Sequence, residues 1–350
     1  MRILFVTDTL ASGGAERVIS VVSDHLCDKY DEVEIICLRK HIVFYELDPR
    51  IKVVFAEDHS SNWISKLLWL RNYVKKDDIV IAFMTRVYCV VLLSLLGLNR
   101  KIITSERNDP KAIPFKWRVL KRFLLPTTTK HVVQTQEIKN YFSQSIQRKT
   151  TIIYNPINLR QCGNKEWDSS RTSILAMARL DKQKNYPMMI KAFLRFHKEH
   201  PQYTLNIWGN RDHDEQISEI TTMINENNAS SFIRLNGVCN HVAEEYDKAY
   251  MFLLTSNYEG FSNSMMEAIC SGIPTISTKV SGANELINNM KNGILIDLND
   301  SDQLYNAMVT IANNTDLAKS MAIEGKKARV IFEETAICKK WIDLIQSIID

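Results

Sequence analysis

The stretch 251-MFLLTSNYEGFSNSMMEAICSGIPTIST-278 decides how the chain folds. An apolar run ends at Thr255-Ser256, a short loop covers 257–261, and a helical pattern then runs to Cys270. Ser262 or Asn263 is placed to cap that helix, Gly272 to end it, and Pro274 to lead into the next strand. A helix that starts at the carboxyl end of a strand offers backbone N–H groups that suit a phosphate or diphosphate. Two carboxylates flank the spot. Glu259 sits just before the helix, and Glu267 lies inside it. A loop carboxylate accepts hydrogen bonds from sugar hydroxyls, and one on the inward helix face can hold ribose hydroxyls. On spacing alone the plainer alternative, a solvated loop charge and a surface helix charge, is the stronger.

Outward from this stretch the same grammar repeats. Short apolar runs at 3–7, 33–38, 52–55, 79–83, 101–104, 131–134 and 151–154 read as one series of strands. A second series follows at 173–178, 204–208, 233–236, 251–254, 275–278 and 293–296. Helical periods separate most of them, for example over 15–29, 188–200 and 214–227. Continuously apolar strands alternating with helices predict parallel sheets covered on both faces. The fold class is therefore α/β, with two Rossmann-like domains. The polar stretch 155–171 interrupts the pattern, which predicts a first domain over 1–160, a second over 161–335 and a final helix over 336–350.

Composition agrees with a soluble two-domain protein: 350 residues, 45% hydrophobic and 24% charged. The net charge of +4 hides an asymmetry. Residues 1–160 carry 25 Lys and Arg against 16 Asp and Glu, and the remainder carries 19 against 24. The two halves are thus suited to different partners. Seven cysteines with wide spacing and no C-x-x-C pair read as buried thiols of a cytoplasmic protein. The start MRILFVTDTL is a strand and not a signal peptide, and the longest apolar run, 87–98, is too short to span a bilayer. Nothing suggests nucleic acid.

Other segments at strand ends carry charge or glycine. In 178-ARLDKQKN-185, Arg179 and Lys184 are two cations placed to neutralise a diphosphate leaving group without a divalent metal. In 12-SGGAERVIS-20, Gly13 and Gly14 let the backbone approach a ligand, and Glu16 follows at the helix start; a tight turn is the alternative. In 104-TSERNDP-110, Arg107 is a candidate for phosphate or acceptor, and a structural Glu106–Arg107 pair is the alternative. Asn236-Gly237 ends a strand and can place backbone against a base, and 281-SGANE-285 opens a helix. Asp212, His213 and Asp214 invite a metal reading, but a solvated loop is preferred because a metal wants more ligands.

The phrase SNYEGFSNSMMEAICSGIPTIST resembles the signature of glycosyltransferase family 4: Glu-Gly-Phe-(small)-Asn followed by Glu-Ala, with seven residues between the glutamates. That resemblance implies a GT-B fold with a cleft between the domains, retention of anomeric configuration and no metal cofactor. It implies that Glu259 contacts the donor sugar and Glu267 the ribose. Gly260, Phe261, Ser262 and Asn263 then serve the diphosphate and sugar. Arg179 and Lys184 match the family's Gly-Arg-Leu…Lys-Asn segment, with Ala178 where glycine is usual. Gly13, Gly14 and Glu16 match its Gly-Gly-Ala-Glu loop. The phrase Ser-Glu-Arg-Asn-x-Pro is similar to a subgroup found in bacterial polysaccharide and lipid-linked glycan enzymes, with Arg107 where many members carry histidine. By the same resemblance the final helix, with Trp341, packs back on the first domain.

The expectation is a retaining, metal-independent glycosyltransferase with a nucleotide-sugar donor, UDP-linked by subgroup resemblance, and a glycan or polyprenyl-linked acceptor. Two alternatives share the architecture: a nucleotide-sugar epimerase and a non-catalytic sugar-nucleotide-binding subunit. Residues 63–76 and 115–126 read as basic amphipathic helices that could lie on an anionic membrane at the inner face of the cell membrane, or bury their apolar faces in the core.

Overall fold

The strands form where the apolar runs predict them. In the computed structural model, which describes residues 1–11, 13–60, 62–209 and 214–349, thirteen strands fall into two parallel sheets. The first sheet contains β1 (Arg2–Thr7), β2 (Glu32–Cys37), β3 (Lys52–Phe55), β4 (Ile79–Phe83), β5 (Lys101–Ser105), β6 (Lys130–Val133) and β7 (Thr150–Ile152) in the order β3-β2-β1-β4-β5-β6-β7. The second contains β8 (Ser173–Met177), β9 (Thr204–Trp208), β10 (Ile233–Gly237), β11 (Ala249–Leu254), β12 (Thr275–Thr278) and β13 (Gly293–Ile296) in the order β10-β9-β8-β11-β12-β13. Both orders reverse direction after a first strand, as in doubly wound folds. The reversal lies between β1 and β4 in one sheet and between β8 and β11 in the other.

The chain divides into two compact units, Met1–Pro156 with Glu334–Asp350, and Ile157–Glu333. The first therefore gives way to the second a few residues before the expected 160, and the final helix, Glu334–Ile349, belongs to the first unit.

Side chains alternate across a strand, so a sheet covered on both faces needs two cores. In the first unit Ile3, Phe5, Ile81 and Phe83 face one core, with Val18 and Val22 of the helix Gly14–Leu26 and Trp341 of the final helix. Leu4, Val6, Val80 and Ala82 face the other, with Tyr88 and Val91 of the helix Thr85–Ser94. The Trp341 ring stacks on Phe83 with centroids 5.7 Å apart. In the second unit one core joins Ile174, Ala176 and Leu205 to Phe193, Phe196 and Met308.

Among the described residues no helix is long and apolar enough to cross a membrane. All seven cysteines are free thiols; five are buried, whereas Cys27 and Cys239 are only half-buried.

One buried polar residue makes the first unit sensitive to acid. The His131 ring on β6 is wholly buried, with Nδ1 2.8 Å from the Thr104 hydroxyl. Burial, aided by the Lys121 charge, pushes its pKa from 6.5 down to about 3. The folded ring stays neutral where the unfolded one takes a proton. Its contribution is complete above pH 6.5 and is lost as pH falls toward about 3. In that window stability should drop by up to about 1.4 kcal/mol per pH unit from this group alone. Urea unfolding at pH 7 and pH 5 should show a shallower pH slope for His131→Asn than for the unmodified protein; equal slopes would mean that His131 already titrates in the folded state.

Candidate active site

In doubly wound sheets ligands bind beyond the carboxyl ends of the strands where the order reverses. In the second unit those ends are Met177 of β8 and Leu254 of β11. The loops that leave them are 178–185 and 255–262, and backbone and side chains stitch the two together. Asn257 N–H donates to the Gln183 carbonyl at 2.7 Å, and the Gln183 amide donates to the Tyr258 carbonyl at 2.7 Å. The Thr255 hydroxyl donates to the Lys184 carbonyl at 2.8 Å. Asn185 takes a left-handed conformation (φ 50°), and its amide donates to Asn299 Oδ1 at 2.8 Å. These bonds hold Lys184 where its ammonium pairs with Glu259 Oε1. The Ser256 hydroxyl donates to the same oxygen at 2.8 Å.

Glu259 is only 7% exposed and Glu267 only 4%, so neither is the solvated charge that spacing alone favoured. Ser262 caps the helix Asn263–Cys270, accepting from Met265 N–H at 3.4 Å. Gly272, at φ +72°, ends that helix. The helix start therefore points its positive end toward the strand ends, beside Glu259. Phe261 is buried against Phe332 with ring centroids 5.8 Å apart, which holds the Gly260–Phe261 backbone. Glu267 accepts from the Tyr246 hydroxyl at 3.2 Å. Arg179 is largely exposed and pairs with Asp181 at 3.3 Å. Asn236 and Gly237 close β10, with Gly237 at φ +77° and its carbonyl accepting from Gly209 N–H at 2.7 Å.

Several contacts escaped the reading of the sequence. A Cβ on Gly209 would lie 1.9 Å from the Ala178 carbonyl, so the tight approach beside Ala178 is met by Gly209. Gly282, in the helix Ser281–Leu286, packs on the Glu259 loop: a Cβ there would lie 2.8 Å from Phe261 Cα and 2.9 Å from the Gly260 carbonyl. A glycine directly after a strand and another at a helix start were the available signals. The contacts of Tyr246 and Asn299 are spatial and leave no local signature.

In the first unit Gly13 caps the helix Gly14–Leu26 in an extended conformation, and the Glu16 carboxylate folds back over it. The Tyr45 hydroxyl donates to the Gly13 carbonyl at 2.9 Å and accepts from Gly13 N–H at 3.3 Å, a clamp that the sequence did not reveal. Glu106 and Arg107 follow β5 but do not pair, which corrects the structural-pair alternative. Glu106 is fully buried with the Thr85 hydroxyl at 2.5 Å, the Tyr88 hydroxyl at 2.9 Å and the Lys121 ammonium at 3.5 Å. Arg107 lies on the other face, against the rings of Phe83 and Trp341. It donates to Ser105 Oγ at 2.8 Å and Asn155 Oδ1 at 3.0 Å. Burial lowers its pKa from 12.5 to about 9. Both charges are buried within this unit. Lys121, within the basic stretch 115–126, is buried as well.

Asp212 and His213 lie outside the described residues. Among the described residues no three His, Cys, Asp or Glu side chains converge as metal ligands.

Residues 12–161 match the sequence model "Glycosyltransferase Family 4", and residues 162–328 match "Glycosyl transferases group 1". The chain belongs to glycosyltransferase family 4. Similar family members include a Campylobacter jejuni protein, "GalNAc-alpha-(1->4)-GalNAc-alpha-(1->3)-diNAcBac-PP-undecaprenol alpha-1,4-N-acetyl-D-galactosaminyltransferase", 26% identical with 99% of both chains covered. A second from the same organism is "N-acetylgalactosamine-N,N'-diacetylbacillosaminyl-diphospho-undecaprenol 4-alpha-N-acetylgalactosaminyltransferase", 25% identical over 95% of each chain. Among solved structures, Anabaena HepE in complex with UDP-glucose superposes with a TM-score of 0.87 at 17% identity, covering 99% of this chain and 100% of that one. The fold is GT-B, and the protein is a glycosyltransferase.

The contact of Gly282 with the Glu259 loop gives a direct test of how tightly that loop is built. Gly282→Val should push Gly260–Phe261 aside at a cost of about 1–3 kcal/mol. It should weaken nucleotide binding with a smaller change in melting temperature than a core substitution such as Phe193→Ala. Unchanged nucleotide affinity would show that the loop position does not matter for binding.

Proposed function

We propose that the protein is a retaining, metal-independent glycosyltransferase that moves a sugar from a UDP-sugar to a lipid-linked glycan in the synthesis of cell-surface polysaccharide. The observation that carries this reading is the Lys184–Glu259 pair, held where the strand order reverses and beside the start of the helix Asn263–Cys270. As the bond from the anomeric carbon to the diphosphate breaks, negative charge grows on the departing oxygens. Arg179, Lys184 and the helix start supply positive charge on that side. Two side-chain cations take the part that a divalent metal plays in other transferases. The acceptor hydroxyl attacks the anomeric carbon from the face the diphosphate leaves, and its proton passes to a departing phosphate oxygen. Configuration is then retained. Glu259, tied to Lys184 and Ser256, accepts from the sugar hydroxyls and positions the ring; it is not a nucleophile. Glu267 takes the ribose. The uridine base and the lipid-linked acceptor are supported by HepE, solved with UDP-glucose, and by the undecaprenol substrates in the names of the Campylobacter relatives.

Glu259→Ala and Lys184→Ala should each lower transfer by at least about 100-fold with the melting curve little changed. Incubation of the protein with UDP-sugars and a polyprenyl-diphosphate glycan should give an α-linked product from an α-linked donor, read by NMR, at a rate unaffected by EDTA. A β-linked product, or a rate abolished by chelation, would sink the mechanism; near-normal turnover in either variant would remove that residue from it.

The acceptor is embedded in a bilayer, so the enzyme has to reach it there, and we infer that the helix Phe115–Leu124 makes that contact. Phe115 and Phe123 are each 73% exposed, and they align with exposed Val119 along one side. Lys116, Arg118 and Arg122 are exposed beside them. The helix at 63–76 fits less well: it ends at Tyr73 and is apolar on both sides, with Ile64 and Leu68 outward and Leu70 buried. Flotation with phosphatidylglycerol vesicles should carry the protein upward at low salt, and about 300 mM salt should release it as the roughly 10 Å screening length at 0.1 M shortens further. Phe115→Ser with Phe123→Ser should abolish flotation. Flotation that survives both changes would place the contact elsewhere.

A further inference from the structure

A carboxylate on a helix has free χ rotations and settles in one direction only if something fixes it. Glu267 lies in the helix Asn263–Cys270, with its side chain buried. One group that reaches it comes from a different element. Tyr246, on the short helix Val242–Lys248 that leads into β11, is fully buried. Its hydroxyl lies 3.2 Å from Glu267 Oε2 and 3.0 Å from the Ser264 carbonyl in the first turn of the Glu267 helix. The ring is wedged beside Phe252 of β11, centroids 6.3 Å apart, so the hydroxyl cannot follow a swinging carboxylate. One hydroxyl thus touches both the carboxylate and the backbone at the start of the helix.

We propose that Tyr246 is a positioning residue for the nucleotide: it holds one oxygen of Glu267 so that the carboxylate meets the ribose hydroxyls in a single orientation. The inference rests on the ribose role given to Glu267 above and adds a residue that acts only through it. A bond to a charged carboxylate in a dry site is worth more than one in water. A carboxylate also has capacity for a tyrosine and a ribose together. The contact to Ser264 sets the helix start relative to the carboxylate, so a nucleotide spanning both meets them in fixed register. Tyr246 touches neither the sugar nor the reacting atoms, so its effect should fall on donor affinity.

The test is a cycle between enzyme and ligand, with UDP, 2′-deoxy-UDP and 3′-deoxy-UDP titrated calorimetrically into the unmodified protein, Tyr246→Phe, Glu267→Gln and the double variant. Loss of the one hydroxyl bond should weaken UDP binding in Tyr246→Phe by about three- to tenfold. Affinity for the deoxy ligand that lacks the hydroxyl bound by Glu267 should not change. In turnover the same variant should raise KM for the donor and keep kcat. Added to Glu267→Gln, the change should have no further effect on UDP binding. An equal loss for UDP and both deoxy ligands, or no loss for UDP, would overturn the role of Tyr246. If Glu267→Gln itself keeps the full preference for ribose over both deoxyriboses, the ribose role of Glu267 fails, and that result is distinct from a failure of Tyr246 alone. Melting curves separate these outcomes from unfolding, because Tyr246→Phe keeps the ring and its packing.

Discussion

The site depends on one topological constraint, the reversal of strand order between β8 and β11. Strands that are neighbours in the sheet but far apart in sequence send their connections to opposite faces. Their loops therefore part at the carboxyl edge and leave a crevice that no helix fills. Everything assigned to the donor hangs from that edge. The loop after β8 brings Lys184, the loop after β11 brings Glu259, and the helix after it brings a positive end. The stitching through Gln183, Asn185, Thr255 and Asn257 is the cost of keeping such a crevice open: two loops with no sheet beneath them are held by hydrogen bonds to each other.

A buried ion pair is a poor source of stability, because desolvating both charges offsets most of their attraction. The pairing of Lys184 with Glu259 makes better sense as storage. Each partner holds the other in place without ligand. A donor that brings phosphates to the lysine and hydroxyls to the glutamate then meets both groups already oriented. Preorganised charge of this kind acts on the transition state with little reorganisation.

Most of the fold was legible along the sequence. Every expected strand is present, with ends that move by at most two residues, because continuous apolar runs between polar breaks leave few other places for a buried parallel strand. The Ser262 cap, the Gly272 terminator and the Glu259–Glu267 helix were legible for the same local reasons. Partnerships were not. Glu106 and Arg107, just beyond β5, keep the alternation of an extended strand and point to opposite faces, so the pair that their opposite charges offered as an alternative does not form. Lys121 belongs to the basic stretch 115–126, yet its amine lies under the rings of Tyr141 and Phe142 beside Glu106. Tyr45, Tyr246, Gly282 and Asn299 act on residues far away in sequence, and no spacing announces such meetings.

The final helix has a consequence for how proteins of this build can be taken apart and recombined. Trp341 completes a core begun by Phe5 and Phe83, so the first unit is written in two separated pieces of sequence. The second is written in one. A gene fusion that exchanges residues 157–333 carries a whole compact unit across, with all of its sheet and core. Either exchange cuts the chain at the same two boundaries, but a fragment ending at 156 lacks part of its own interior. Modularity in this chain is therefore one-sided: the second unit is a continuous cassette, and the first is a chassis that only its own last helix completes.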